Sequence, residues 1–346
     1  MPQAANFFQP LWQTLMGLLD GKARNQWVQS QPDEDVQRVQ WLNTWPFVFL
    51  HLGCFLVFWV GFSWTGLWVC VGMYFVRMFA ITGFYHRYFS HRTFKTSRIF
   101  QFLMGVLGNS SVQKGPLWWA AHHRDHHRHS DQPVDLHSPV QRGFWYSHLG
   151  WITVEKNLYT KYNNLPDFSR FPELIFINRY DWLVPLLYAI LLYGTGSVLS
   201  QNYPSLNTSG AQLLVWGWFI STTLLFHGTC TINSLSHVFG SQRYNTGDQS
   251  RNNFYLALIT LGEGWHNNHH QYPGSTRQGF YWWEIDITYY ILKALEAFGI
   301  VWDLHPVPLS IRENHTAKTS GKPFSPLSNE QPFAQPHLNT PSGFMS

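Results

Sequence analysis

Three histidine boxes mark the part of this chain that could do chemistry: His86-x4-His91, His123-x2-His126-His127 and His266-x2-His269-His270, with His237 standing alone ahead of the third. Neutral imidazole is the commonest side-chain metal ligand, and this many nitrogen donors suits two ions better than one. The cysteines Cys54, Cys70 and Cys230 lie in apolar stretches and form no CxxC, which argues against a disulfide scaffold or a thiolate site.

Spacing says how the boxes could converge. On a helix, His123, His126 and His127 stand at i, i+3, i+4 and project from one face towards a common point, and His266, His269 and His270 repeat the pattern. His86 and His91 differ, because five residues of α-helix turn through about 500° and leave the two about 140° apart. They converge only if the helix ends between them or if they bind from opposite sides. Asn233 and His237 are again i, i+4, so His237 reads as a ligand and Asn233 as a weaker or water-mediated one. Imidazoles with few carboxylates suit iron, copper, nickel or zinc. The setting favours iron: a membrane-facing pair of metals has no evident hydrolytic task, whereas attack by activated oxygen on lipid C–H bonds is one. Asp125, Asp131, Asp135 and Glu263 are candidates to orient imidazoles from behind.

These ligands need a scaffold, and composition points to a membrane. The 346 residues are 45% hydrophobic and 18% aromatic with only 12% charged, while the mean hydropathy of -0.18 implies a large polar part beside the embedded one. Residues 1–44 are polar, carry the acidic run Asp33-Glu34-Asp35 and lack the order of an export signal. Residues 45–305 form the expected functional domain, with crossings at about 45–63, 66–85, 182–200 and 211–232. Residues 86–180 and 233–305 would form a cap, and residues 306–346, rich in Pro, Ser, Asn and His, read as a disordered tail. Basic residues recur from Arg87 to Arg179, whereas the two turns on the far side carry no Lys or Arg. The positive-inside rule therefore places the cap and both termini in the cytoplasm. The expected fold class is an all-α membrane protein: four transmembrane helices with a cytoplasmic helical cap holding a di-metal site.

Other features read more plainly. A formal charge of +4 without a basic stripe excludes nucleic acid as a partner. His51, His148, His227 and His305 read as ordinary hydrogen-bonded residues, and His122, His129 and His137 as neighbours of the second box outside its spacing. The aromatic runs Phe55, Phe58, Trp59, Phe62 and Trp216, Trp218, Phe219 read as lipid-facing or packing residues. The sequon Asn207-Thr208-Ser209 reads as idle. No haem- or flavin-binding domain is recognisable, so electrons are expected from a separate chain.

HRYFSH (His86 to His91), HRDHH (His123 to His127), NSLSH (Asn233 to His237) and GEGWHNNHH (Gly262 to His270) together resemble the membrane fatty-acid desaturases of the stearoyl-CoA Δ9 type, over about Trp45 to Leu304. The resemblance implies two irons held by His86, His91, His123, His126, His127, His237, His266, His269 and His270, with Asn233 reaching the metal through water. It implies O2 as co-substrate and a saturated acyl chain, carried on CoA or a lipid, that gains a cis double bond, expected at Δ9. It implies a separate electron donor such as ferredoxin or cytochrome b5 with its reductase, in a bacterial inner membrane rather than the endoplasmic reticulum. One departure concerns the head group: where animal members carry an Arg-Asp pair that helps hold CoA, this chain has Ala121-His122. Just upstream, Lys114, Trp118 and Trp119 could meet a phosphate and an acyl chain. Cys70 and Tyr74, one helical turn apart above His86, could close the far end of an acyl tunnel.

The nearest rival is a membrane di-iron lipid or alkane hydroxylase, which inserts oxygen with similar histidines; His86-x4-His91 and GEGWHNNHH favour desaturation. A non-enzymatic histidine-rich metal carrier would need its ligands within the spans rather than beyond their cytoplasmic ends.

Overall fold

The computed structural model describes residues 15–30 and 41–314; the acidic run at 33–35 and most of the expected tail, from residue 315, lie outside them. Helix α1 (Gly21–Ser30) is tied to the middle of the chain, where the Asn25 amide donates to the Thr160 carbonyl at 3.3 Å. Helix α2 (Trp41–Cys54) opens the first apolar run. This run, Thr44–Val60, is a shorter helix than the expected first crossing and falls below the roughly 20 residues that a bilayer takes. The physical reason is local: Pro46 sits inside it, regular α-helix lapses at residues 55–56, and the last turn stops at Gly61, whose φ is 74°.

Among the described residues, three helices are long and apolar enough to cross a membrane: Trp64–Ser90, Leu183–Asn202 and Gly210–His237. The first starts as α3 (Trp64–Phe79), capped by the Ser63 side chain, and continues as a π-helix over Ala80–Ser90, beyond the expected end at 85. The chain then makes β1 (Lys95–Thr96), α4 (Arg98–Asn109), α5 (Pro116–His129) and α6 (Pro172–Arg179). The second span is α7 (Leu183–Asn202). The third is α8 (Gly210–Ser234), with a π-helical stretch at Val215–Ile220 and a closing 3-10 turn at Leu235–His237. Short helices α9 (Phe254–Ile259) and α10 (His266–Gln271) and then α11 (Ile287–Ala297) follow. Strand β2 (Val301–Trp302) pairs antiparallel with β1, Lys95 opposite Trp302, and so ties the chain just past the first box to the end of the domain.

Arg77 shows how the spans are held together. It stands mid-helix rather than near the end of a crossing, fully buried, because the helix runs on to Ser90. Its guanidinium donates to Thr222 Oγ1 at 2.6 Å, Ser221 Oγ at 2.8 Å and the carbonyls of Ser110 and Gly217. A charge among apolar helices persists only when its donors are met this way. Tyr85, Phe89, Phe94, Leu117, Ala121 and Leu174 belong to the fully buried core. Residues 309–313, inside the stretch expected to be disordered, form a short helix whose Arg312 carbonyl accepts from the Tyr244 and Tyr281 hydroxyls.

Candidate metal centre

The π-helix answers the question that the first box poses. Hydrogen bonds closing from i to i+5 put residues five apart on one face, and the His91 N–H donates to the His86 carbonyl at 3.2 Å. The two rings, which an α-helix would separate, lie 4.9 Å apart. The helix does end between them, at Ser90 with His91 as its C-cap, and its π-helical winding brings the two rings to one side.

The boxes converge, but not on one point. The donor atoms of His86, His91, His123, His127 and His269 gather in one cluster, and those of His126, His237, His266 and His270 in a second. Each three-histidine box is therefore divided. On α5 the i, i+4 pair His123 and His127 stays about 40° apart and serves the first cluster, while His126, about 100° round from His127, serves the second. On α10 the division is reversed: His266 and His270 face the second cluster and His269 the first.

Hydrogen bonding alone cannot satisfy these rings. In the first cluster the Nε2 atoms run in close contact from His86 to His269 (2.9 Å), His127 (2.9 Å), His123 (3.0 Å) and His91 (2.9 Å). A ring nitrogen offers one hydrogen or one in-plane lone pair, so the Nε2 atoms of His269, His127 and His123 cannot each serve two neighbours. A shared cation satisfies all of them. Two ligands at right angles with bonds of about 2.1 Å stand about 3.0 Å apart, whereas tetrahedral ligands stand about 3.4 Å apart. The observed spacing thus suits a five- or six-coordinate ion better than a tetrahedral one. In the second cluster His237 and His266 bring Nε2 atoms to 3.1 Å, and the buried Nε2 of His270 has no hydrogen-bond partner.

Carboxylates set the rings from behind. His126 Nδ1 meets Asp135 at 2.9 Å, His237 Nδ1 meets Asp131 at 2.9 Å, His270 Nδ1 meets Asp248 at 2.6 Å, and His86 Nδ1 meets Glu263. Each accepts an Nδ1–H and leaves the Nε2 lone pair aimed inward. Asp131, Asp135 and Glu263 are in the expected place. Asp125 is not: it is drawn away into an ion pair with Lys161. Asp248 was not singled out from the sequence, where it is one acid in a polar loop without periodicity. The glycines of GEGWHNNHH have a backbone reason, since Gly262 has φ of 125° and a Cβ at Gly264 would lie 2.1 Å from the Ala257 nitrogen. Together they turn Glu263 inward to His86 and Arg87. Asn267 and Asn268, fully buried between the box histidines, accept from the Tyr244 backbone N–H and the Asn252 amide and anchor α10.

Burial and then the neighbouring imidazoles hold His91, His123, His127, His266 and His269 well below the usual histidine range, so they are neutral, the form that binds metal. Burial takes His270 down to about 4 against the pull of Asp248. Burial also opposes the charge on His126, but Asp135 overrides it and raises that ring above its usual range.

A cavity reaches both clusters. Met78, Ile81 and Ile232 line it together with Thr82, Thr229 and Thr260, as do His86, His123, His126, His266, Asn233 and Trp119. Trp119 stacks on His123 with ring centroids 5.0 Å apart. Tyr74 packs on the Met78 cluster and donates to the Ile259 carbonyl at 2.7 Å, while Cys70 is buried one turn higher. Lys114 and Trp118 do not line this cavity: Lys114 is paired with Asp181, and Trp118 stacks on Trp151 and donates to Asn157. His51, His227 and His148, which seem isolated in sequence, form a hydrogen-bonded chain at 2.9 and 3.0 Å that ends on Ser234, next to Asn233.

Comparison with known proteins agrees with this geometry. The fatty acid desaturase family model matches residues 62–303. An acyl-CoA C20 Δ5-desaturase of Anemone leveillei is 35% identical over 301 residues, covering 84% of this chain and 91% of that protein. A Δ9 acyl-lipid desaturase of Arabidopsis thaliana is 36% identical, covering 78% and 84%, and an sn-2 palmitoyl-lipid 9-desaturase of Nostoc sp. (strain 36) is 33% identical, covering 76% and 89%. With the match spanning both imidazole clusters and the helices that carry them, the chain belongs to the fatty acid desaturase family.

Proposed function

We propose that the chain is an O2-dependent di-iron desaturase that introduces a cis double bond, at Δ9, into the saturated acyl chain of a membrane lipid. The observation that carries this reading is the pair of imidazole clusters opening on one cavity that Met78, Ile81 and Ile232 also line. His86, His91, His123, His127 and His269 would hold one iron, and His126, His237, His266 and His270 the other, with Asn233 joined through water. When bound, the irons supply activation of O2, which takes two electrons, two protons and two hydrogens of a –CH2–CH2– unit to leave –CH=CH– and two waters.

The chain's own residues do the rest. Met78, Ile81 and Ile232 hold the acyl chain by burying its methylenes, each worth about 0.8 kcal/mol. Trp119, fixed on His123, closes the cavity beside the ligands and keeps bulk water from the reacting carbons. Asp131, Asp135, Asp248 and Glu263 hold Nδ1–H atoms and so keep each Nε2 on its centre, fixing which carbon pair is presented. Tyr74, beyond Met78, would limit chain length.

Acyl-lipid is favoured over CoA thioester because of Ala121 and His122. Ala121 is fully buried; His122 is buried, sits 3.1 Å from the Tyr159 carbonyl and packs on Trp118, so neither offers charge to a nucleotide. With Thr44–Val60 as a fourth, short crossing, both termini and the basic cap lie on the cytoplasmic side, where a ferredoxin or cytochrome b5 delivers electrons. The test is expression in a host lacking Δ9 desaturation, with gas chromatography and double-bond mapping of its lipids. A Δ9 monoene is expected; a hydroxylated product without a new double bond would sink the reading.

A further inference from the structure

Helix α9 carries an apolar face that no part of the described protein covers. Phe254, Tyr255, Leu258 and Ile259 share it, Tyr255 with 78% of its surface exposed, and residues 254–262 contain no charge. The segment pairs its own backbone as a lipid environment demands. Leu256 N–H is capped by the Asn253 side chain, and the N–H groups of Ala257, Thr260 and Gly262 donate to Asn253, Leu256 and Ala257.

Its depth is set by Tyr74. That residue lies ten positions from the outer end of α3, about 15 Å along the helix, which is about half of a hydrocarbon core of about 30 Å. The Tyr74 hydroxyl donates to the Ile259 carbonyl at 2.7 Å, so the end of α9 lies within one side-chain length of mid-span. There its exposed face continues the lipid-facing surface of α3, where Phe75 and Val76 are each 45% exposed. On the other side Leu261 packs on Met78 and Leu225, and Thr260 and Glu263 line the cavity.

We propose that α9 is immersed in the bilayer and forms the side wall between lipid and the acyl cavity, so that acyl chains reach the metal centre sideways, still attached to membrane lipid. This rests on reading α3 as a membrane span and the cavity as the acyl site.

The test uses full-length enzyme in phospholipid nanodiscs, with Cys54, Cys70 and Cys230 replaced by alanine and a nitroxide on Tyr255→Cys or, as an aqueous reference on α11, on Lys293→Cys. Relaxation by O2 should exceed relaxation by a nickel chelate at position 255 and fall below it at position 293. Equal access of the chelate to both positions would overturn immersion. Tyr255→Lys should keep its iron while lowering desaturation of lipid-bound chains about tenfold; unchanged product would overturn the role as side wall. Wild-type enzyme that makes no double bond yet shows the oxygen-favoured label would remove the desaturase reading and leave α9 in lipid.

Discussion

The two imidazole clusters are built differently. The first has five rings, of which His86 alone has a carboxylate on its Nδ1. The second has four rings, three of them with their own carboxylate, and Asn233 lines the cavity beside it. A fuller ligand set with little negative charge behind it suits an ion that is held. A smaller set backed by three carboxylates would stabilise higher charge, and two of its rings, His126 and His266, line the cavity. Ions held in the two clusters would thus be given different tasks by their surroundings.

The sharpest way to break this comparison is to remove one ring from each side. His127→Ala and His126→Ala should both abolish desaturation, and each should lower iron from about two ions per chain to about one, since ligand loss opens only its own centre. Elemental analysis of the purified variants checks this; loss of both ions from either variant would show that the clusters are one site.

The next effect is on affinity. Asp135→Asn keeps the shape but removes the charge behind His126, and should weaken iron at the second centre by about 10- to 100-fold while sparing the first. Chelator titration monitored by iron content should show two phases, with only the weaker one moved.

Gly262→Ala tests the first centre through the backbone. A φ of 125° and contact with Asp286 would strain the turn by about 1–3 kcal/mol, lowering Tm and loosening Glu263 from His86. Iron should be lost from the first centre ahead of the second, the reverse of Asp135→Asn.

The smallest effect is expected at Asn233. If Asn233 reaches its ion only through water, as proposed, Asn233→Ala should retain both ions and lower turnover by less than about tenfold. Loss of an ion here would make Asn233 a direct ligand.

Much of this was legible in the sequence. Histidine spacing picks out the nine rings that the structure gathers into two clusters, because i, i+3, i+4 periodicity survives folding on α5 and α10. The division of the two three-histidine boxes was not legible, since it depends on how α5 and α10 meet in the fold. Nor was the meeting of His86 with His91, because nothing in the sequence announces that Ala80–Ser90 leaves α-helical for π-helical winding. Asp248 reaches His270 through a loop whose path only tertiary packing decides. The first apolar run looked long enough for a crossing by hydropathy, and Pro46 with the lapse before Val57 explains the shorter helix.

Anomalous scattering at the iron edge, from the purified full-length enzyme, tests the central claim most directly. Two iron peaks are predicted, one ringed by His86, His91, His123, His127 and His269 and the other by His126, His237, His266 and His270. A single peak, or a signal at the zinc edge instead, would contradict it.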